Sequence, residues 1–304
     1  MGWKIILSIL FFFLAIGLLL VYWFIPISDS QFISFNQDNN SYMDPIDQSK
    51  LQFYPNMRFP YSRISYDVED CSLKKTDDME RAFSTIENLT ILDFYPRING
   101  EEIIVTCEDK TRVEGGLFIA GEGGPSNITK AGDINLISKG KILLYKESEC
   151  TNPNIATHEL LHALGFDHIP NPNDLMYNVS KCDQTINQET LDLINELYSI
   201  PSYPDLVLGE ISASMHGKYL NTNFTIKNEG LIVAPGAIVE IYADEKKVRE
   251  VYIDPLETGH GKIITLTNLW INQFSIEELK YVIAANFDEL KKENNKVELQ
   301  IKKN

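Results

Sequence analysis

Residues 158–168 read His-Glu-Leu-Leu-His-Ala-Leu-Gly-Phe-Asp-His. On a helix, side chains four apart leave the same face one turn apart, so His158 and His162 point the same way. Two imidazoles so placed can share one zinc at about 2.0–2.1 Å each. Gly165 permits a left-handed turn that ends the helix and brings His168 round as a third ligand. Three protein ligands leave a fourth position open, as a catalytic zinc needs. Glu159, beside the first ligand, is placed to act as general base toward a water on that zinc. The competing readings are histidines scattered on a helix and loop, or a zinc site without chemistry. Five fixed residues in an 11-residue window argue against the first, and Glu159 argues against the second.

Outward from this segment, Asn152-Pro153 predicts a helix start, and Gly165 predicts its end. Upstream lie apolar runs of strand type. Ile64, Tyr66 and Val68 alternate, and Glu102–Cys107, Gly115–Ala120 and Asp133–Ile137 follow as short segments separated by turn residues. Thr76 reads as the cap of a helix carrying Met79, Ala82, Phe83 and Ile86, and Gln188–Ile200 reads as a final helix. Strands mixed with three helices predict an α+β domain over residues 58–203. After Pro204 the texture changes to short β-branched runs between Gly, Pro, Asn and Asp clusters. This predicts an all-β sandwich over residues 204–304.

Ile5–Ile25 is a 21-residue run without a charge, and about 20 helical residues cross a hydrocarbon core. Trp3, Tyr22 and Trp23 sit at its ends, where amphipathic rings favour the interface. Lys4 precedes it, and the next basic residue is Lys50. The charge asymmetry places residues 1–4 in the cytoplasm, 5–25 across the membrane, and a linker of 26–57 plus both domains outside. A cleaved signal peptide is the alternative; its apolar core is ordinarily shorter and followed by an A-x-A site. The formal net charge is −16, which excludes nucleic acid as a partner because phosphate binding needs basic surface. Four cysteines, Cys71, Cys107, Cys150 and Cys182, follow the apolar run. An even number in an exported chain implies disulfides in one of three pairings, the alternative being buried thiols.

The segment HELLHALGFDHIPNPNDLMYN resembles the metzincin metalloproteases, most closely the matrixin branch. Met176, eight residues after His168, resembles the family's Met-turn beneath the zinc. The apolar run and the charge asymmetry predict that the protein is membrane-anchored and faces outward; the resemblance implies a zinc endopeptidase of the metzincin fold, a mostly parallel twisted sheet with three helices. It implies protein or peptide substrates, hydrolysed by attack of a zinc-bound water with Glu159 as base. By the same likeness GGLFIAGEGGP is the antiparallel edge strand, so Gly116, Leu117, Phe118, Ile119 and Ala120 would bind substrate backbone, and Tyr177 would border the specificity pocket. Asn178 replaces the proline usual there. It further implies Cys71–Cys107 and Cys150–Cys182 pairing. No cysteine-switch propeptide and no structural-zinc histidines are recognisable. Calcium is left open by Glu108, Asp109, Glu114 and Glu122, without a motif for it. Residues 205–304, through PDLVLGEI, FTIKNEGLIVAPGAIVEIYAD and ELKKENNKVELQI, resemble a CARDB-type immunoglobulin-like domain. That likeness implies an adhesion or surface partner, against the plainer reading of a rigid spacer.

Overall fold

The computed structural model describes residues 2–24, 29–34, 51–110, 112–114, 117–273 and 276–301. The chain divides into two compact units. One takes residues 40–204 and 229–232; the other takes 1–39, 205–228 and 233–304.

In the first unit, β2 (Met57–Arg58), β3 (Arg63–Glu69), β4 (Asp93–Pro96), β5 (Ile103–Cys107) and β9 (Ile134–Leu144) form a parallel sheet in the order β2-β9-β5-β3-β4. Strand β8 (Gly121–Ala131) runs antiparallel along β9. The short hairpin β6 (Arg112–Glu114) and β7 (Leu117–Ile119) stands apart as its own two-stranded sheet. Among the described residues, three helices accompany the sheet: α2 (Leu73–Leu89), α3 (Asn154–Ala163) and α4 (Gln188–Ser199).

Helix α2 begins one turn earlier than Thr76 predicts. Ser72 is the cap, its hydroxyl accepting from the Lys75 N–H, so the Lys74-Lys75 pair lies inside the helix. Its apolar face buries Met79, Ala82, Phe83 and Ile86, each large side chain contributing about 1.5–3 kcal/mol. Phe83 stacks on Tyr66 of β3 with ring centroids 4.0 Å apart. Helix α4 is capped by Asn187, whose side chain accepts from Thr190 N–H, and buries Leu191, Ile194 and Leu197. Cys71 and Cys107, at the C-terminal ends of the parallel neighbours β3 and β5, are disulfide-bonded, and so are Cys150 and Cys182.

Among the described residues, the second unit is built on eight antiparallel strands. They are β1 (Asp29–Ser34), β10 (Leu206–His216), β11 (Tyr219–Asn228), β12 (Ala237–Ala243), β13 (Lys246–Ile253), β14 (Gly261–Trp270), β15 (Glu278–Ala284) and β16 (Lys296–Ile301). Their order is β13-β12-β15-β16-β1-β10-β11-β14. Alternate residues point inward, as in β12, where Ala237, Val239, Ile241 and Ala243 are buried and their neighbours are not. Phe224 and Tyr281 meet in the core with centroids 5.5 Å apart.

The expected linker 26–57 is corrected at both ends. Asp29–Ser34 is a strand, seated between β10 and β16, with Phe32 opposite Ala213 on one side and Ile301 on the other. Its single buried aromatic is too short a pattern for periodicity to reveal. Residues 51–57 belong to the first unit, where Gln52 pairs with Phe166. Before β1, α1 (Gly2–Phe24) is long and apolar enough to cross a membrane, with mean hydropathy 2.5 over Gly2–Leu20 and none of that window buried.

Candidate active site

Helix α3 carries His158, Glu159 and His162. All three are buried, at 9%, 6% and 6% exposure. Pro153 stands at the helix cap without a side-chain bond, and Asn154 inside the first turn donates to the Lys181 carbonyl at 2.6 Å. The Cys150–Cys182 bond therefore closes over a segment already hydrogen-bonded to the helix start. Gly165 ends the helix with φ +99°, and a Cβ there would stand 2.8 Å from that of Met57. Only glycine fits both the backbone and the space.

The turn delivers His168. The donor atoms of His158, His162 and His168 lie within 4.8 Å of one another, with Nε2 of His162 and Nε2 of His168 3.2 Å apart. Two nitrogens on one tetrahedral zinc stand roughly 3.3 Å apart. The ring orientations are fixed from behind. Nδ1 of His158 donates to the Leu175 carbonyl at 2.6 Å, and Nδ1 of His162 donates to the Phe166 carbonyl at 2.7 Å. Those bonds select the tautomer that leaves Nε2 a free lone pair. Burial holds both imidazoles below the ordinary histidine range, His162 at about 3. They are neutral, as metal ligands must be. This donor set fits a zinc ion.

Glu159 faces β8. Burial first, and the Glu122 carboxylate second, push its carboxyl up to about 8, opposed by a hydrogen bond from the Gly123 N–H. The close approach depends on two glycines. A Cβ on Gly121 would lie 2.7 Å from Glu159 Cγ, and one on Gly123 would lie 2.2 Å from the Glu159 carbonyl oxygen. Sequence reasoning missed both; their signal was Gly-x-Gly at strand spacing, which puts two glycines on one face.

The expected edge strand, GGLFIAGEGGP over 115–125, is corrected in its first part and overlaps the observed strand in its second. Gly116 lies outside the described residues, and Leu117–Ile119 pair with β6 rather than with the main sheet. The antiparallel edge strand is β8, beginning at Gly121. Ala120 accepts from the Tyr145 and Lys146 N–H groups, both at 2.9 Å. Phe118 is exposed, with the Lys146 ammonium 5.3 Å above its ring. The Pro and Gly of β8 oppose strand propensity, and its packing on α3 overrides that preference.

Met176 is fully buried, its carbonyl accepting from Ile169 N–H at 2.9 Å, next to His168. Tyr177 is half-buried, its N–H donating to the Asp174 carbonyl. Two further residues escaped the sequence reading. Phe53 stacks on His162, centroids 5.6 Å apart, and Asp174 is buried beneath the turn. Three of the four acidic residues left open for calcium are ion-paired, Glu108 with Lys110, Asp109 with Lys75 and Glu122 with Arg112, and the Glu114 side chain lies outside the described residues. Among the described residues, the three histidines are the one cluster of this kind able to hold a metal.

The sequence model of the astacin peptidase family matches residues 52–200. The chain is a zinc metalloendopeptidase. The peptidase has one catalytic zinc as its cofactor, and its domain is of the metzincin type. The family that matches is astacin and not the matrixin branch of the sequence resemblance. The CARDB model matches residues 203–299 of the same peptidase, so a β-rich CARDB domain follows the metzincin-like α+β domain. Among solved structures, the CARDB domain of the PF1109 protein from Pyrococcus furiosus, in complex with di-metal ions, is 18% identical. That alignment covers 32% of the peptidase and 88% of that chain, with a TM-score of 0.27. No curated protein matches.

Proposed function

We propose that the peptidase hydrolyses internal bonds of protein or peptide substrates with Glu159 as general base and His158, His162 and His168 as zinc ligands. The observation that carries this is the convergence of three neutral imidazoles beside one carboxyl that no other described group neutralises by an ion pair. Zinc, when bound there, supplies Lewis-acid polarisation of the scissile carbonyl and makes water a better nucleophile. Glu159 takes the proton of the attacking water and hands it to the leaving amine. Its burial keeps the carboxyl close to the proton affinity such a shuttle needs, and the Gly123 N–H orients it. His158 and His162 keep their Nε2 atoms aimed through their carbonyl bonds. Strand β8 pairs with β9 along one side; its other side accepts substrate backbone by strand addition beside Glu159.

Helix α1 anchors the chain in the membrane, and both domains face outward. Its charge-free run from Ile5 onward, and the lack of any buried residue over Gly2–Leu20, support this. The CARDB domain, an immunoglobulin-like sandwich in this reading, attaches the peptidase to a surface or protein partner. The decisive experiment compares the wild-type chain with Glu159→Gln on a mixed peptide library, with and without chelator, alongside metal analysis. One zinc per chain in both, with chelator-sensitive cleavage in the wild type and at least a roughly 10³-fold loss in the variant, supports the assignment. Normal turnover by Glu159→Gln removes it. Alkaline carbonate extraction of membranes, with protease accessibility on intact cells, tests anchoring and orientation.

A further inference from the structure

Asp174 is 2% exposed, yet no zinc ligand touches its carboxylate. Oδ1 accepts from the Met176 N–H at 2.8 Å, and Oδ2 accepts from Asn187 Nδ2 at 2.6 Å. Asn187 is also the cap of α4. The backbone of Asp174 is equally occupied. Its N–H donates to the Asn171 carbonyl, its carbonyl accepts from Tyr177, and the next N–H, Leu175, donates to Thr185 at 2.8 Å. The turn Asp174–Met176 is therefore pinned from both sides.

That turn presents two consecutive carbonyls to the zinc site. The Leu175 oxygen takes the Nδ1 proton of His158. The Met176 oxygen takes the N–H of Ile169, the residue after His168. Two of the three ligands are thus held through one turn. A carboxylate is what this position demands, because it faces two donors and an amide offers one acceptor oxygen. Burying it beside neutral partners alone is costly, whereas a dication nearby offsets that cost.

We propose that Asp174 is a positioning residue for the zinc site, fixing His158 and His168 through the Leu175 and Met176 carbonyls and adding a buried negative charge that favours the dication. This rests on the zinc peptidase reading.

The test uses the full chain and compares Asp174→Asn with Ile194→Ala, a fully buried α4 core change away from the turn. Zinc release to a competing chelator, the visible spectrum of the cobalt-substituted protein, kcat and KM are measured, with Tm alongside. Asp174→Asn is expected to release zinc about 10–100-fold faster, the range for lost supporting bonds around metal ligands. Its cobalt spectrum shifts, and kcat falls with KM nearly unchanged. Ile194→Ala lowers Tm but keeps wild-type zinc release and spectrum. If Asp174→Asn fails to fold, Asn187→Ala, which removes the Oδ2 partner together with the α4 cap bond to Thr190, is expected to shift the spectrum and speed release less than tenfold, whereas the α4 destabilisation alone, matched by Ile194→Ala, leaves both unchanged. Wild-type release and spectrum in the Asp174→Asn protein, or in Asn187→Ala where that is the variant available, overturn the proposal whatever happens to Tm. A wild-type chain that takes up no zinc overturns the underlying assignment with it.

Discussion

The Phe53 ring lies on the imidazole of His162, centroids 5.6 Å apart and planes 25° from parallel. The backbone holds it there, with Phe53 N–H donating to the Gly165 carbonyl and Asp167 N–H donating to that of Leu51. The chain entering the first unit thus covers one side of the His162 imidazole, a zinc ligand in the proposed site. Phe53→Ala is expected to cost about 1–2 kcal/mol, because the ring is only partly buried, and to speed zinc loss. Phe53→Leu, retaining bulk, is expected to recover most of the stability. Urea unfolding and chelator kinetics on both variants check this.

Gly123 has no room for a methyl group, given the 2.2 Å that would separate a Cβ from the Glu159 carbonyl oxygen. Gly123→Ala must push β8 off α3 at Glu159, the general base of the proposed mechanism. A fall in kcat of at least tenfold is expected, with stability reduced by about 1–3 kcal/mol. Gly124, with open space around its Cβ direction, is the control: Gly124→Ala is expected to leave kcat within twofold. Equal activities for the two variants would contradict the packing described.

Arg58 is 1% exposed and has carbonyl oxygens where a carboxylate is usual. It donates to Leu197, to Ile200 at 2.9 Å, to Pro60 at 3.0 Å and to Phe59 at 2.9 Å, with its guanidinium 4.6 Å above the Tyr198 ring. It thereby ties β2 to the C-terminal end of α4, where cations are favoured. Arg58→Met leaves several buried acceptors bare and is expected to destabilise the catalytic unit by about 3 kcal/mol or more. Chemical denaturation measures it, and an effect below about 1 kcal/mol would show that water replaces the guanidinium.

The Cys150–Cys182 bond closes a 32-residue separation and Cys71–Cys107 one of 36. Chain entropy alone gives each about 3–4 kcal/mol. The two differ in what they enclose. The first brackets the ligand helix and the Met176 turn, while the second joins two strands away from the histidines. Replacing either pair by serine is expected to lower stability similarly, but only the Cys150/Cys182 replacement is expected to hasten zinc release. Release rates that change equally would remove the distinction.

The ligand segment was legible because its whole logic is local: helix spacing, a glycine turn and three histidines fall within eleven residues. The alternating domain after Pro204 was legible for the same reason, since period-two patterning needs no distant partner. What escaped depends on contacts far along the chain. Arg58 reads as an ordinary basic residue until Leu197 and Ile200 meet it. Asp174 reads as a polar loop residue until Asn187 closes on it. The edge strand was read over 115–125, but its substrate-facing part was set at Gly116–Ala120 rather than at Gly121 onward, because glycine and proline in Gly121–Pro125 oppose strand formation. Only the fit of Gly121 and Gly123 against Glu159 makes that stretch a strand. Ser72 displaced Thr76 as helix cap because both have a hydroxyl, and it is the Ser72 hydroxyl that meets a free N–H, that of Lys75.

Strand β1 precedes the catalytic unit in the chain but is seated between β10 and β16, which follow it. The catalytic unit is therefore an excursion out of a fold that starts before it and finishes after it. A single cut in the stretch from 35 to 50 would break the covalent path from α1 to the active site without parting the fragments. The short N-terminal piece stays laced by backbone hydrogen bonds to a strand on either flank, and through the CARDB domain it keeps hold of the peptidase. Release then requires pulling a strand out of the interior of a sheet. A nicked molecule that migrates as two pieces under denaturing conditions is expected to elute as one under native conditions. A chain begun at residue 51 would instead carry an empty slot between two strand edges, the kind of exposed pairing surface that draws molecules into aggregates.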